Sequence, residues 1–345
     1  MFKKMFIVLF STFSLLVLTA CTNDVDEMRD EVDEVGEVGE VDEVDEVDDT
    51  EEEVVEVSPH HLEEVDEPLD GLQVHFIDTG QSEDILIRTA ETTILMSTSL
   101  TDIPLDMESP IPYLESQLVD EIDLLISTSG LPEHHLYLPD ILERFSIKEL
   151  WMPPHGEARD GQGDDTLNNT LTALQEQGIS PYTPLAGGTR TIGDIHLEVI
   201  YSSSDEYDPL VVKVTYGDMS YLFNYVGGAA MPRLEKDWLA SDIDLRSTVL
   251  KTSSHKLGNH TEFLQAVDPK IAVNLSGEIS AHPTPQLIDR IDESGIDEYG
   301  TLGHGTIVIS TDGKSYHVET ETKPTSVDPY YRPSSHEPRS LKSIK

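Results

Sequence analysis

Lys251-Thr252-Ser253-Ser254-His255-Lys256-Leu257-Gly258-Asn259-His260 closes an apolar run that begins at Ser247 and opens into a polar loop with two histidines. The residues beyond it repeat the theme. A second apolar run at Ile271 to Leu275 is followed by Ala281-His282-Pro283, a helical stretch from Pro285 to Ser294, and His304-Gly305 ahead of a hairpin. Its strands are Gly305 to Ser310 and Lys314 to Glu319, turning at Asp312-Gly313. Buried strands whose following loops carry hydroxyls and imidazoles, with helices between them, describe a layered α/β domain with its chemistry at the strand ends.

Outward from this stretch the same alternation continues. Leu72 to Ile77, Ile85 to Arg88 and Thr93 to Met96 read as strands, and the continuous apolar run Ile122 to Ser127 reads as a strand buried on both faces. Leu138 to Phe145 and Thr166 to Gln177 read as helices, the second stopped by Gly178. Strands are expected at Ile147 to Met152, Thr191 to Tyr201, Leu210 to Tyr216 and Ser220 to Asn224. About 250 residues without an internal linker make one domain, with room for a large core.

In order and spacing these segments resemble a metallo-β-lactamase-fold hydrolase domain of the ComEC type, over about residues 72 to 320. The resemblance implies a four-layered αββα sandwich and a pair of metal ions held by His and carboxylate ligands, sharing a water that becomes hydroxide near neutral pH. Val74-His-Phe-Ile-Asp78-Thr-Gly80-Gln81-Ser82-Glu83 resembles the first strand and its Gly-Gln-Gly-Asp turn, with Ser82 and Glu83 in place of the last Gly-Asp. Set on the family pattern, this chain lacks ligands at several positions. Ser97 stands where a carboxylate is expected, Ser129 replaces a first His, Leu131 a second ligand, Gly228 the bridging carboxylate, and Ser254 one His of a pair. Glu133, His134, His255 and His282 remain as metal-ligand candidates, with His304 matching and His135 and His260 as local substitutes.

Leucine and glycine offer no ligand, and a neutral serine is a poor one for Zn²⁺. The expected outcome is one Zn or Mn ion or none, and no complete catalytic set. The serines at 97 to 99, 127 to 129 and 252 to 254 would line a polar pocket suited to binding without cleavage. The alternative kept open is a single-metal phosphodiesterase or nuclease linked to DNA handling. There is no Gly-x-Ser-x-Gly elbow and no phosphate-binding glycine loop.

The chain opens Met1-Phe-Lys3-Lys4, passes through an apolar segment and reaches Leu18-Thr19-Ala20-Cys21, which resembles a lipobox. Residues 1–21 are thus expected to be a signal, with Cys21 lipidated and the protein held to the outer face of a bacterial cytoplasmic membrane. As the lone cysteine, it excludes an intramolecular disulfide. Residues 22–70 hold 24 acids and one Arg, with valine at 32, 35, 38, 41, 44 and 47. A period of three fits neither helix seam nor strand, so this segment reads as a solvated tether with a reach of about 40 Å. The domain is assigned to 71–322 and a Pro- and Ser-rich disordered tail to 323–345. Of the net charge of -45, -24 lies beyond residue 70, a surface that repels nucleic acid phosphates.

Overall fold

The computed structural model describes residues 62–68, 70–80, 82–98, 108–131, 134–154, 163–202, 210–225, 231–253, 258–276 and 284–324. The signal with Cys21, most of the tether and the end of the tail lie outside them.

The first half of the chain supplies β1 (Glu63–Glu64), β2 (Leu72–Ile77), β3 (Asp84–Arg88), β4 (Thr93–Ser97), α1 (Ile111–Ser116), β5 (Glu121–Ile122), β6 (Leu124–Ser127), α2 (Leu138–Arg144), β7 (Ser146–Ile147), β8 (Leu150–Trp151) and α3 (Gly163–Gln177). The second half gives β9 (Thr189–Ile192), β10 (Ile195–Tyr201), β11 (Val211–Tyr216), β12 (Met219–Asn224), α4 (Met231–Leu239), β13 (Val249–Lys251), α5 (Thr261–Val267), β14 (Ile271–Asn274), α6 (Pro285–Glu293), β15 (Asp297–Gly300), α7 (Thr301–His304), β16 (Ile307–Thr311) and β17 (Ser315–Thr320). One sheet runs β1-β17-β16-β2-β3-β4-β6-β8 and the other β15-β14-β13-β12-β11-β10-β9.

Alternation along each strand sets the layers, because successive side chains point to opposite faces. On β3, Ile85 and Ile87 join a core shared with Val212, Phe223 and Val249 of the other sheet. Leu86 turns outward, to Leu114 of α1 and Ile141 of α2. On the second sheet Leu222 and Leu250 turn outward to Trp238 of α4, Phe263 of α5 and Leu287 of α6. Helices, sheet, sheet and helices therefore stack as an αββα sandwich, as expected. Both faces of each sheet are covered, and this is why the inner strands read as unbroken apolar runs rather than alternating ones.

Several local expectations change. The strand expected over Ile147 to Met152 divides: Ser146–Ile147 pairs with β5, and Leu150–Trp151 pairs with β6. Residues 62 to 65, assigned to the tether, join the core and the sheet edge instead. Leu62 is buried in the central core, β1 pairs in parallel with β17, and Val65 donates its N–H to the Tyr316 carbonyl at 2.8 Å. The folded unit thus starts before residue 71, because the apolar Leu62 finds a place in the core and the adjoining backbone caps an otherwise open sheet edge.

The strands β4, β6 and β8 are parallel to one another, as are β12 to β15. Their carboxyl ends, together with that of β2 and the first residue of β3, gather at one edge of the sandwich. At the opposite edge the β11–β12 and β16–β17 turns meet, with Asp218 donating its N–H to the Gly313 carbonyl at 2.7 Å.

Candidate functional site

Among the described residues singled out by the sequence, Ser97 ends β4, and Ser129, Leu131 and His134 follow β6 at the carboxyl edge. Ser97, last in β4, donates its hydroxyl to Asp84 Oδ1 at 2.5 Å, and Thr79 donates to Oδ2 of the same carboxylate at 2.9 Å. Asp84 is fully buried. Burial raises its pKa, while the hydroxyls of Ser97, Ser82 and Thr79 pull it back; desolvation wins.

Glu83, one residue earlier, faces the other way. It lies on the inward period of β3 and meets Lys251 Nζ at 2.6 Å, with both side chains 1% exposed. Lys251 is inward for the same reason: Val249, two residues before it, belongs to the central core, whereas Leu250 packs outward. Its ammonium also donates to the Asn224 carbonyl at 3.3 Å and sits 4.1 Å above the ring of Tyr225. Desolvation lowers the Lys251 pKa, and Glu83 acts in the opposite sense. The Tyr225 phenol is pushed well up by burial first and by the Glu83 and Asp84 carboxylates second. Its oxygen and the Thr128 hydroxyl are buried with no hydrogen-bond partner among the described residues.

After β6 the chain folds back on itself. Ser129 Oγ lies 2.9 Å from His134 Nδ1 and accepts the Leu131 N–H at 3.2 Å. Leu131 is buried. His135 Nε2 lies 2.7 Å from the Ser129 carbonyl and 3.0 Å from Ser127 Oγ. A carbonyl only accepts, so this nitrogen carries a proton and has no lone pair for a metal. His135, a substitute ligand in the sequence reading, is a buried imidazole whose Nε2 ties down its own loop.

His260 is also committed elsewhere. It precedes α5, and its Nδ1 is bonded to Glu235 of α4, a buried carboxylate that also accepts the N–H of Asn259 at 2.5 Å and of His260 at 3.2 Å. Glu235 thereby fixes the two residues, Asn259 and His260, that lead into α5. Arg290 of α6 donates to the carbonyls of Gly258 and Asn259. His304 packs its ring 5.2 Å from that of Tyr299 and accepts the Gly300 N–H at 3.2 Å, a structural placement.

Glu133, His255, His282, Gly228 and Ser254 lie outside the described residues. Among the described residues, no three His, Cys, Asp or Glu side chains form a group able to hold a metal ion. Of the described members of the expected ligand set, Ser97 donates a hydrogen bond to Asp84, Ser129 is hydrogen-bonded to His134, and Leu131 is apolar, which does not fit a pair of cations. Lys251, Asp84, Tyr225 and Glu235 were not singled out by sequence. Two signals were present: an acidic pair directly before the apolar Ile85 to Ile87, and a lysine on the inward period of a buried strand.

No family model and no curated protein matches this chain. Among solved structures it is similar to CmlA, a diiron β-hydroxylase from Streptomyces venezuelae, at 12% identity over 71% of this chain and 55% of that one, with a TM-score of 0.47. It thus spans about half the length of that protein. It is similar to the metallo-β-lactamase fold protein YhfI from Bacillus subtilis, at 8% identity over 70% of this chain and 100% of that one, TM-score 0.42. A diphosphatase from the PhnP family gives 12% identity over 67% and 84%, TM-score 0.40. At these values the layer order stands on the strand pairing and core partition described above.

Proposed function

We propose that this protein is a lipid-anchored, extracytoplasmic module whose ComEC-like, metallo-β-lactamase-type domain binds or scaffolds a partner and does not run di-metal hydrolysis. One observation carries this reading. At the strand-end edge, the hydroxyl that replaces an expected carboxylate is locked onto Asp84, and the charged groups nearby neutralise each other out of contact with water. Hydrolysis by two cations needs a carboxylate-bridged pair with an accessible water, and the described residues supply neither bridge nor open ligands. The formal charge of -45 supports a partner other than nucleic acid. The lipobox-like Leu18-Thr19-Ala20-Cys21 supports the anchor.

The test is turnover of single-stranded DNA, duplex DNA and a bis-aryl phosphodiester with Zn²⁺ or Mn²⁺ supplied. No turnover above the metal blank is expected. Robust hydrolysis lost in His134→Ala would instead establish a single-metal phosphodiesterase. For the anchor, Cys21→Ala should abolish lipid labelling, and labelling that persists would remove that part of the proposal.

A further inference from the structure

We infer that Lys251 is the built-in cation of this domain: its ammonium, fixed between Glu83, the Asn224 carbonyl and the Tyr225 ring, joins the two sheets at the strand-end edge without an external metal ion.

Glu83 directly precedes β3 of the first sheet and Lys251 ends β13 of the second, so their 2.6 Å contact is a bond between layers rather than within one. The strands that carry the ammonium's other two partners and the ammonium itself are neighbours. β12 ends at Asn224, directly before Tyr225, and β13 ends at Lys251, with Phe223 opposite Lys251 in the parallel register. A positive charge is therefore delivered to this edge by a covalently attached side chain. It is surrounded by what a bare cation seeks in a dry interior: a carboxylate, a carbonyl oxygen and the negative face of an aromatic ring. An added divalent ion would have to approach this ammonium in a medium of low dielectric, where like charges repel strongly. The arrangement accounts for why Ser97, Ser129 and Leu131 can occupy positions where the resemblance expects ligands. With the charge of Glu83 already matched, no ion is required to keep the sheets together there.

This inference rests on the metal-poor reading of the site, but it fails separately from the absence of hydrolysis: a domain without turnover could still depend on a metal to stay folded. The experiment is thermal unfolding of the full chain with and without chelator, alongside Lys251→Met, Glu83→Gln and the double variant Lys251→Met/Glu83→Leu. The wild-type midpoint should not move with chelator. Either single variant strands one buried polar partner, and Lys251→Met should lower the midpoint by about 10 °C. The double variant, with both charges replaced by apolar groups, should regain more than half of that loss. Where a single variant is too unstable to purify, a double variant that folds and melts near the wild type still supports the pair. A chelator-dependent wild-type midpoint, an unchanged midpoint in Lys251→Met, or a double variant no better than its weaker parent would each overturn the inference. Turnover that appears while the midpoint ignores chelator would overturn only the functional reading.

Discussion

At one end of the sandwich the turn at Gly217 lies against the turn at Gly313; at the other, Glu83 meets Lys251 and Ser97 meets Asp84. The first contact is possible because side chains are absent. A Cβ on Gly217 would lie 2.7 Å from the Gly313 carbonyl oxygen and 2.8 Å from its Cα, and Gly217 has a φ of +59°. The second is possible because charges are matched. Backbone closure tolerates any charge but no volume, whereas the charged end tolerates isosteric change but no unmatched group. A fold can therefore alter what its strand-end edge does chemically while its hairpin edge keeps the sheets in register.

The largest effect outside the ion pair should come from adding volume at the hairpin edge. Gly217→Val combines a left-handed backbone with a clash against backbone atoms that cannot swing away. We expect a loss of about 3 kcal/mol in denaturant unfolding. A loss under about 1 kcal/mol would show that the turns part at little cost and that the comparison is wrong at this end.

The next concerns a buried titratable group belonging to neither end. His75, mid-strand in β2, is bonded through Nδ1 to the Tyr113 hydroxyl at 2.8 Å, and burial, reinforced by Arg88, lowers its pKa from 6.5 to about 4. The folded value lies below the unfolded one, so between these pH values the unfolded chain takes a proton that the folded chain refuses. The His75 contribution is complete above pH 6.5 and is lost as pH falls toward 4, by about 3 kcal/mol in all. The stability difference between wild type and His75→Phe, followed by denaturant unfolding over that window, should shift by this amount in the variant's favour on acidification. Parallel curves would mean the imidazole is solvated and titrates normally.

The smallest expected effect sharpens the charged end itself. Asp84 is adjacent to Glu83 but is held by hydroxyls, and burial raises its pKa. Asp84→Asn keeps an acceptor and removes a charge that desolvation disfavours, so stability near neutral pH should change by no more than about 1 kcal/mol. A loss as large as that of Glu83→Gln would show that the negative charge of Asp84 is needed, and would point to a cation beside it.

Much of this is legible in the sequence alone. The apolar runs at Leu124 to Ile126 and Ile271 to Val273, the Asp312-Gly313 turn, and the periodic stretches now seen as α3 and α6 each fix their structure through neighbours a few residues away, although the strand expected over Ile122 to Ser127 divides at Asp123, its first part pairing with β7 and its second with β4. Even α4, which the strand-and-helix outline omitted, carries Met231, Leu234 and Trp238 at helical spacing. Ser97, Ser129 and Leu131, at positions where the resemblance implies ligands, were also visible as residue types. What those residues do was not. Ser97 needed Asp84 opposite it, Asn259 and His260 needed Glu235 from α4, and the halves of the strand at Ile147 to Met152 each needed a different partner.

The sequence by itself determined the layered α/β class and the order of strands, because periodicity and residue chemistry are local properties. Only the tertiary structure decided that Lys251 ends its strand facing inward against Glu83, and that His135 and His260 are tied to other groups. A buried charge is tolerated or not according to its partner, and that partner lies on the other sheet, far along the chain.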